Sequence, residues 1–157
     1  MCFVFFEHPG NYLAYLGTSY FTTLADLQAS SGKDANSLSV YPHYTASDDL
    51  HTVAPWLDGV GTVLTEVTDD IDGEARGGTP DIGADQFVPD PATTTPLSGI
   101  YTIGGGGDYA DFNAASADLL LKGISAPVTF NVMSGNYNEQ VIFHETPGAS
   151  ATDTITF

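Results

Sequence analysis

The 157-residue chain contains very few cations. Lysine and arginine together number 3 against 20 acidic residues, so the formal net charge is −17. Binding to a polyanion requires clustered Lys and Arg side chains that displace counterions, and the composition therefore excludes nucleic acid as a partner. An anionic membrane surface is excluded on the same ground. The charge favours solubility and cation binding. The alternative is that the acidic residues only form a solvated surface.

Cysteine and long apolar runs are also lacking. Cys2 is the single cysteine, so an internal disulfide cannot form, and cysteine usage does not define the compartment. The apolar opening Met1–Phe6 is too short for a signal peptide or a membrane span, and no membrane insertion is expected. From its first residue, this opening shows the alternating β-forming residues of a strand. We therefore expect Met1 to be an internal residue of a longer parent chain.

Helical periodicity is scarce, and short β-forming runs closed by Gly, Pro, Asn or Asp dominate. The predicted strands are Cys2–Phe6, Tyr12–Leu16, Ser37–Val40, Thr62–Val67, Ile100–Ile103, Val128–Met133, Gln140–His144 and Thr152–Phe157. A helical pattern is weak at Thr23–Ala29 and strong from Asp108 or Asp111 to Lys122, where Gly123 is a natural stop. The whole pattern is typical of an all-β protein with one short helix.

A segment rich in proline and threonine divides the chain. Residues 88–98 read Val-Pro-Asp-Pro-Ala-Thr-Thr-Thr-Pro-Leu-Ser. Proline lacks the amide hydrogen that a sheet needs, and it favours extended backbone. The segment is therefore predicted to link two domains, with a long loop inside one domain as the alternative.

Three motifs on the N-terminal side carry a resemblance to a known family. The motifs are Asp34-Ala35-Asn36-Ser37, Asp70-Ile71-Asp72-Gly73-Glu74-Ala75-Arg76, and Pro80-Asp81-Ile82-Gly83-Ala84-Asp85-Gln86-Phe87. With these motifs, residues 11–87 resemble the late and closing coils of right-handed parallel β-helix proteins of the pectin-lyase-like class. Within this class, the motifs particularly resemble those of large secreted and surface proteins of bacteria.

The C-terminal side resembles the start of a second β-helix of the same class. A strand and the strong helix precede Gly135-Asn136-Tyr137-Asn138-Glu139-Gln140-Val141, which matches the family's G-x-Y-x-E-x-V first coil; pectin methylesterases begin in a similar way. The resemblance implies an all-β fold of right-handed parallel β-helix (solenoid) fragments, with one short capping helix and two incomplete modules. The resemblance divides the chain into three regions: the C-terminal coils of one β-helix at 1–87, the linker at 88–98, and the N-terminal cap and first coils of a second β-helix at 99–157. It also implies an extracellular or cell-surface location.

The densest group of carboxylates predicts a cation site. Its candidate ligands are Asp69, Asp70, Asp72, Asp81 and Asp85. Calcium is the expected ion because it prefers several oxygen ligands, although the spacing does not fit an EF-hand loop. The alternative is that these side chains accept hydrogen bonds from their own backbone in turns while Arg76 pairs with one of them.

Aromatic residues indicate a sugar-binding face. Six residues could line it: Tyr12, Tyr15, Tyr20, Tyr41, Tyr44 and Trp56. Aromatic rings stack on pyranose rings, and Tyr41, Tyr44 and Trp56 are the predicted contacts with a polysaccharide or cell-surface glycan. The alternative is that the rings fill a core or cover its end.

No catalytic group is predicted within the chain. Gly104–Gly107 lacks the Gly-Lys-Ser/Thr continuation of a phosphate loop, and the histidines share no metal-ligand spacing. The resemblance places catalysis on central coils, which this chain does not include. We therefore predict a non-catalytic fragment of a secreted or cell-surface protein, structural, adhesive or polysaccharide-binding, with no cofactor other than the calcium considered above. The alternative is an accessory part of a polysaccharide lyase or pectin-esterase-like enzyme.

Overall fold

The computed structural model describes Val4–Phe5 and residues 12–157. The chain divides into two compact units, Met1–Asp90 and Pro91–Phe157, called here the N-terminal unit and the C-terminal unit. Cys2, His8 and the outer residues of the predicted strand at 2–6 lie outside the described residues. Within the described ranges, no helix is both long and apolar enough to cross a lipid bilayer.

The N-terminal unit is built from short elements. They are β1 (Val4–Phe5), β2 (Ala14–Leu16), β3 (Ser19–Phe21), α1 (Leu24–Ser31), β4 (Leu38–Ser39), β5 (Tyr44–Ala46), β6 (Asp49–Thr52) and a 3-10 turn at Pro55–Leu57. β2 and β3 form an antiparallel hairpin, as do β5 and β6, whereas β1 pairs with β4 in parallel. Residues 58–90 contain no helix or strand, so they are held by other interactions.

Helix α1 is defined by its two caps. Thr23 Oγ1 accepts the amide hydrogen of Asp26 at 3.1 Å, and Gly32 ends the helix with φ 62°. Glycine adopts this left-handed conformation without the cost that a side chain would add. Leu24 and Leu27, which produced the weak helical pattern, are buried.

The described residues of the N-terminal unit contain one small apolar core cluster. Its buried residues are Ala54, Leu57 and Ile82, and the partly buried side chains packed against them are Leu38, Val40 and Phe87. The Ile82 amide donates to the Leu57 carbonyl at 3.0 Å, which ties the strand-free segment to the 3-10 turn. Residues 58–90 contribute Ile82 to the buried residues of this cluster, so backbone hydrogen bonds have to hold much of that segment in place.

The C-terminal unit is a parallel sheet with one helix. Its elements are β7 (Leu97–Ile103), α2 (Phe112–Lys122), β8 (Ile124–Val132) and β9 (Ile155–Thr156). β8 lies in the middle and pairs in parallel with both β7 and β9. Asp111 accepts the amide hydrogen of Ala114 at 2.8 Å, and Gly123 ends α2 with φ 65°. The predicted helix ending at Lys122 is therefore confirmed.

The core of the C-terminal unit is formed by β7, α2 and β8. Its buried residues are Leu97, Ile103, Ala115, Leu119, Ile124, Val128 and Phe130. Val128 and Phe130 are two positions apart in β8, so their side chains share one face of the strand, as the alternation in the sequence predicts. The ring of Phe130 stacks on that of Phe157, with centroids 5.0 Å apart and planes 12° apart.

The prediction of an all-β, right-handed parallel β-helix with two incomplete modules is wrong. The described residues form small mixed α/β units with sheets of two or three strands, and they contain no solenoid. Turns at 17–18 and 47–48 reverse the chain within the two hairpins. Such short turns make neighbouring strands antiparallel, whereas a β-helix coil needs a longer path that returns the chain in parallel. The runs Thr62–Val67 and Gln140–His144 form no strand.

Candidate functional site

The carboxylate of Asp70 organises the acidic segment of the N-terminal unit. It accepts amide hydrogens from Asp72 at 2.9 Å, Glu74 at 2.8 Å and Gln86 at 2.9 Å. The Gln86 bond is the main cause that lowers the pKa of Asp70 below its usual value, and burial opposes it. An acid that stabilises three amide groups in this way has a structural role.

Asp81 has a similar role at a more buried position. Its side chain is 3% exposed, and its two carboxylate oxygens accept the amide hydrogens of Gly59 at 2.6 Å and Phe87 at 2.7 Å. The Asp81 amide itself donates to the side chain of Gln86 at 3.1 Å. These bonds join the residues after the 3-10 turn to the end of the acidic segment.

Arg76 binds carbonyl groups of the same segment. Nη1 donates to the Asp81 carbonyl at 3.1 Å and Nη2 to the Gly83 carbonyl at 2.8 Å. Within residues 12–157, Arg76 forms no ion pair with a carboxylate, and its buried Nε has no hydrogen-bond partner. The guanidinium therefore stabilises the backbone of the segment, and its charge also helps to lower the pKa of Asp70.

A cavity of about 380 Å³ opens beside this segment. Its walls combine apolar and charged side chains, including Leu64, Val67, Asp69, Asp70, Ile71, Arg76, Asp81 and Ile82. The size falls in the range that holds small ligands. However, Asp70, Arg76 and Asp81 are already bonded to backbone groups, so the cavity offers few free polar contacts.

His51 lies between two carboxylates. Its Nδ1 is hydrogen-bonded to Asp49, and its Nε2 is 2.7 Å from Oδ2 of Asp72. The Asp72 bond, followed by the Asp49 bond, raises the pKa of His51 to about 9. The hydrogen bond with His51 in turn lowers the pKa of Asp49. Sequence reasoning treated the histidines as scattered, because a partner 21 residues away gives no local signal.

Asp85 completes a group with His51 and Asp72. One ligand atom from each of the three residues lies within 4.8 Å of the other two. The Asp85 side chain is 6% exposed and accepts the Thr52 amide hydrogen at 3.4 Å. This arrangement unites side chains from β6 and from the strand-free segment.

The structure therefore separates the five predicted calcium ligands. Asp72 and Asp85 lie together beside His51, whereas Asp70 and Asp81 bind backbone amides. Asp69 accepts a hydrogen bond from the Thr68 hydroxyl at 3.1 Å. Calcium binding by the set of five stays a prediction.

The predicted sugar contacts lie at or near the surface of the N-terminal unit. Tyr41 packs edge-on against His43 with ring centroids 4.8 Å apart, Tyr44 is exposed in β5, and Trp56 is partly buried in the 3-10 turn. Their contact with a glycan stays a prediction.

A second group of aromatic residues is closer packed. On the β2–β3 hairpin, the ring centroid of Tyr20 is 4.4 Å from that of Tyr12 and 4.7 Å from that of Tyr15. Sequence reasoning named these residues among its candidates, but it could not see that Tyr15 pairs directly with Tyr20 across the hairpin.

The glycine-rich run of the C-terminal unit is a turn. The Gly107 amide donates to the Gly104 carbonyl at 2.9 Å. The N-terminus of α2 is occupied by Glu139, which accepts the amide hydrogens of Phe112 and Asn113, each at 3.0 Å. An acid thus already accepts the amide hydrogens that a phosphate would use at this helix N-terminus.

Comparison of the chain with protein-family models, curated proteins and solved structures gave no match. The resemblance to pectin-lyase-like proteins thus has no support beyond the motifs quoted above. Function has to be inferred from the side chains themselves.

Raising the pH is expected to destabilise the N-terminal unit through His51. The folded pKa is about 9 against an ordinary 6.5, so the stabilisation is fully present below about pH 6.5 and is lost as the pH rises through about 9. Urea unfolding followed by Trp56 fluorescence, with a chelator present, should show a lower midpoint at about pH 10 than at about pH 6.

The His51→Gln variant is the control, because glutamine cannot carry the positive charge. Its urea midpoint should depend less on pH across the same interval. An equal fall in the variant and the unmodified chain would assign the effect to other titrating groups.

Proposed function

We propose that this chain is a non-catalytic module of a secreted or cell-surface protein, and that it binds a neutral polysaccharide. The observation that supports this best is the tyrosine cluster on the β2–β3 hairpin, formed by Tyr12, Tyr15 and Tyr20.

The three rings are close together and open to solvent. Tyr12 is 65% exposed, Tyr15 60% and Tyr20 61%, and the planes of the outer rings are tilted by 32° and 42° from that of Tyr20. Clustered exposed apolar side chains, unlike scattered ones, often mark a binding site. Tyrosine is well suited to binding because it is rigid and offers both a ring and a hydroxyl.

A sugar chain matches this surface chemically. The C–H faces of pyranose rings pack on aromatic rings, while the sugar hydroxyls exchange hydrogen bonds with tyrosine hydroxyls. The net charge of −17 repels uronate or sulfate groups, so a neutral polymer is favoured over an acidic one.

Three carboxylates among the described residues lack the raised pKa that glycoside cleavage requires of its acid. Glycoside hydrolysis needs a carboxylic acid with a raised pKa opposite a second carboxylate. The pKa values of Asp49, Asp70 and Asp108 are instead lowered, in each case chiefly by hydrogen bonds to the carboxylate. Charged carboxylates of this kind accept hydrogen bonds but do not protonate a leaving group.

Replacing Tyr20 by alanine is expected to weaken binding of neutral polysaccharide by about fivefold to tenfold, since each aromatic contact contributes about 1 kcal/mol. Tyr20 is the informative position because its ring contacts both neighbours. The measurement is affinity electrophoresis or calorimetry of the full chain with soluble glucan, xylan and mannan, using polygalacturonate as the acidic comparator.

Two further variants make the test specific. Tyr20→Phe keeps the ring and should retain most of the binding, which separates stacking from loss of the hairpin. Tyr44→Ala removes an exposed tyrosine of another hairpin and should have little effect. Loss of binding with Tyr44→Ala but not with Tyr20→Ala would favour the site around Tyr41, Tyr44 and Trp56. Absence of binding to every polymer would overturn the proposal.

A further inference from the structure

We infer that His51, Asp72 and Asp85 bind one divalent transition-metal cation, for which Zn²⁺ is the appropriate probe, and that Asp49 orients the histidine. The ligand atoms of the three residues lie within 4.8 Å of one another. The inference concerns a site separate from the tyrosine cluster and does not depend on glycan binding.

Asp85 provides the first reason to place a cation here. Its side chain is 6% exposed, yet the Thr52 amide that bonds it is at the long distance of 3.4 Å. A buried carboxylate needs an opposite charge or several hydrogen bonds to offset its desolvation. Among the described residues, His51 lies within 4.8 Å of Asp85 but already pairs with Asp49 and Asp72, and Asp85 itself forms no ion pair. A metal ion between Asp85, Asp72 and His51 would supply that charge.

The surroundings of His51 provide an independent reason. A histidine that binds a metal through one ring nitrogen usually donates its other N–H to a carboxylate, which fixes the tautomer and the ring orientation. Asp49 occupies that position at Nδ1, and Nε2 faces Asp72. The second-shell partner of a metal ligand is therefore already in place.

The ligand types select the class of ion. An imidazole nitrogen with two carboxylates suits zinc or another transition metal, whereas calcium and magnesium prefer oxygen ligands alone. Around a tetrahedral zinc at about 2.1 Å, ligand atoms lie about 3.4 Å apart. Because the side chains of His51 and Asp72 are partly exposed, rotation about their side-chain bonds can bring the ligands to that separation. Water would complete the coordination.

A metal in this position would join two parts of the N-terminal unit. His51 belongs to β6, whereas Asp72 and Asp85 belong to the segment that has no helix or strand. Among the described residues, Ile82 is the buried side chain that this segment contributes to the apolar core. A bound ion therefore adds a cross-link where packing contributes little, and it stabilises the folded chain by mass action.

Isothermal titration of the chelator-stripped full chain with Zn²⁺, Ca²⁺ and Mg²⁺ tests the inference. We expect one equivalent of Zn²⁺ to bind, at least about tenfold more tightly than Ca²⁺. Asp85→Asn and His51→Gln should each weaken Zn²⁺ binding by more than about tenfold, and Asp49→Asn by about 10- to 100-fold. Glu66→Gln, which changes an exposed carboxylate of the same segment outside the group, should bind as the unmodified chain does.

Spectroscopy of the unmodified chain tests the inference even if a variant fails to fold. Co²⁺ should give visible absorption of a low-coordinate nitrogen and oxygen site, and one histidine should shift in the NMR spectrum when Zn²⁺ is added. Equal or tighter binding of Ca²⁺, unchanged Zn²⁺ binding in His51→Gln or Asp85→Asn, or a histidine other than His51 responding to Zn²⁺ would each overturn the assignment.

Discussion

Replacing Phe130 by alanine is expected to lower the free energy of unfolding of the C-terminal unit by about 3–5 kcal/mol. Phe130 is 1% exposed in the central strand β8. Its ring stacks on Phe157 and contacts Tyr101 and Tyr109 with centroids 5.8 and 5.7 Å away. The substitution removes a large apolar surface and leaves a cavity beside Tyr101 of β7 and the buried residues of the core.

Native-state hydrogen exchange of the β8 amides measures this loss, because it reports on the sheet itself. Ile100→Ala is the matched control: Ile100 is a large apolar residue in the adjacent strand, but it is 72% exposed. Its replacement should change the stability by less than about 0.5 kcal/mol. Similar losses in the two variants would contradict a core centred on Phe130.

Replacing Asp81 by alanine is expected to destabilise the N-terminal unit by about 3 kcal/mol. The substitution leaves the Gly59 and Phe87 amides, which now donate to its two oxygens, without an acceptor. Hydrogen bonds to a charged acceptor are stronger than neutral ones, and both bonds are partly buried, which limits their replacement by water. Urea unfolding followed by Trp56 fluorescence is the measurement, since Trp56 is three residues from Gly59.

Two further substitutions show whether the loss of stability comes from the hydrogen bonds of Asp81 or from net charge. Asp81→Asn keeps one acceptor oxygen and should lose about half as much stability as alanine. Asp69→Ala removes an exposed carboxylate of the same segment and should change the midpoint little. If Asp69→Ala were as damaging as Asp81→Ala, net charge rather than the two amide bonds would hold the segment.

The parts of the fold that were predicted correctly depend on neighbouring residues. Helix α2 begins after Asp111 and ends at Gly123 because a side-chain cap and a glycine act within a few positions of the helix. The alternation of Val128 and Phe130 likewise reports directly on one face of β8. Such local signals predict an element and its buried side.

The errors arose where the outcome depends on distant partners. Thr62–Val67 has strand-forming residues but no strand beside it, and β-propensity becomes structure only when another strand supplies hydrogen bonds. The hairpin of β5 and β6 was missed because Asp49 and His51 interrupt its apolar pattern. The same two residues orient the candidate metal site, whose members Asp72 and Asp85 reach His51 only through tertiary structure.

The pairing of β8 with β9 has a consequence for the order in which the chain folds. Ala14 pairs with Phe21 in the first hairpin, whereas Val128 pairs with Ile155 across a much longer loop. Closing a long loop costs chain entropy before any contact compensates for it, so hairpins form early and parallel pairs form late. During that interval the apolar face of β8 is uncovered. Association between newly made chains is therefore expected to compete chiefly with formation of the parallel sheet.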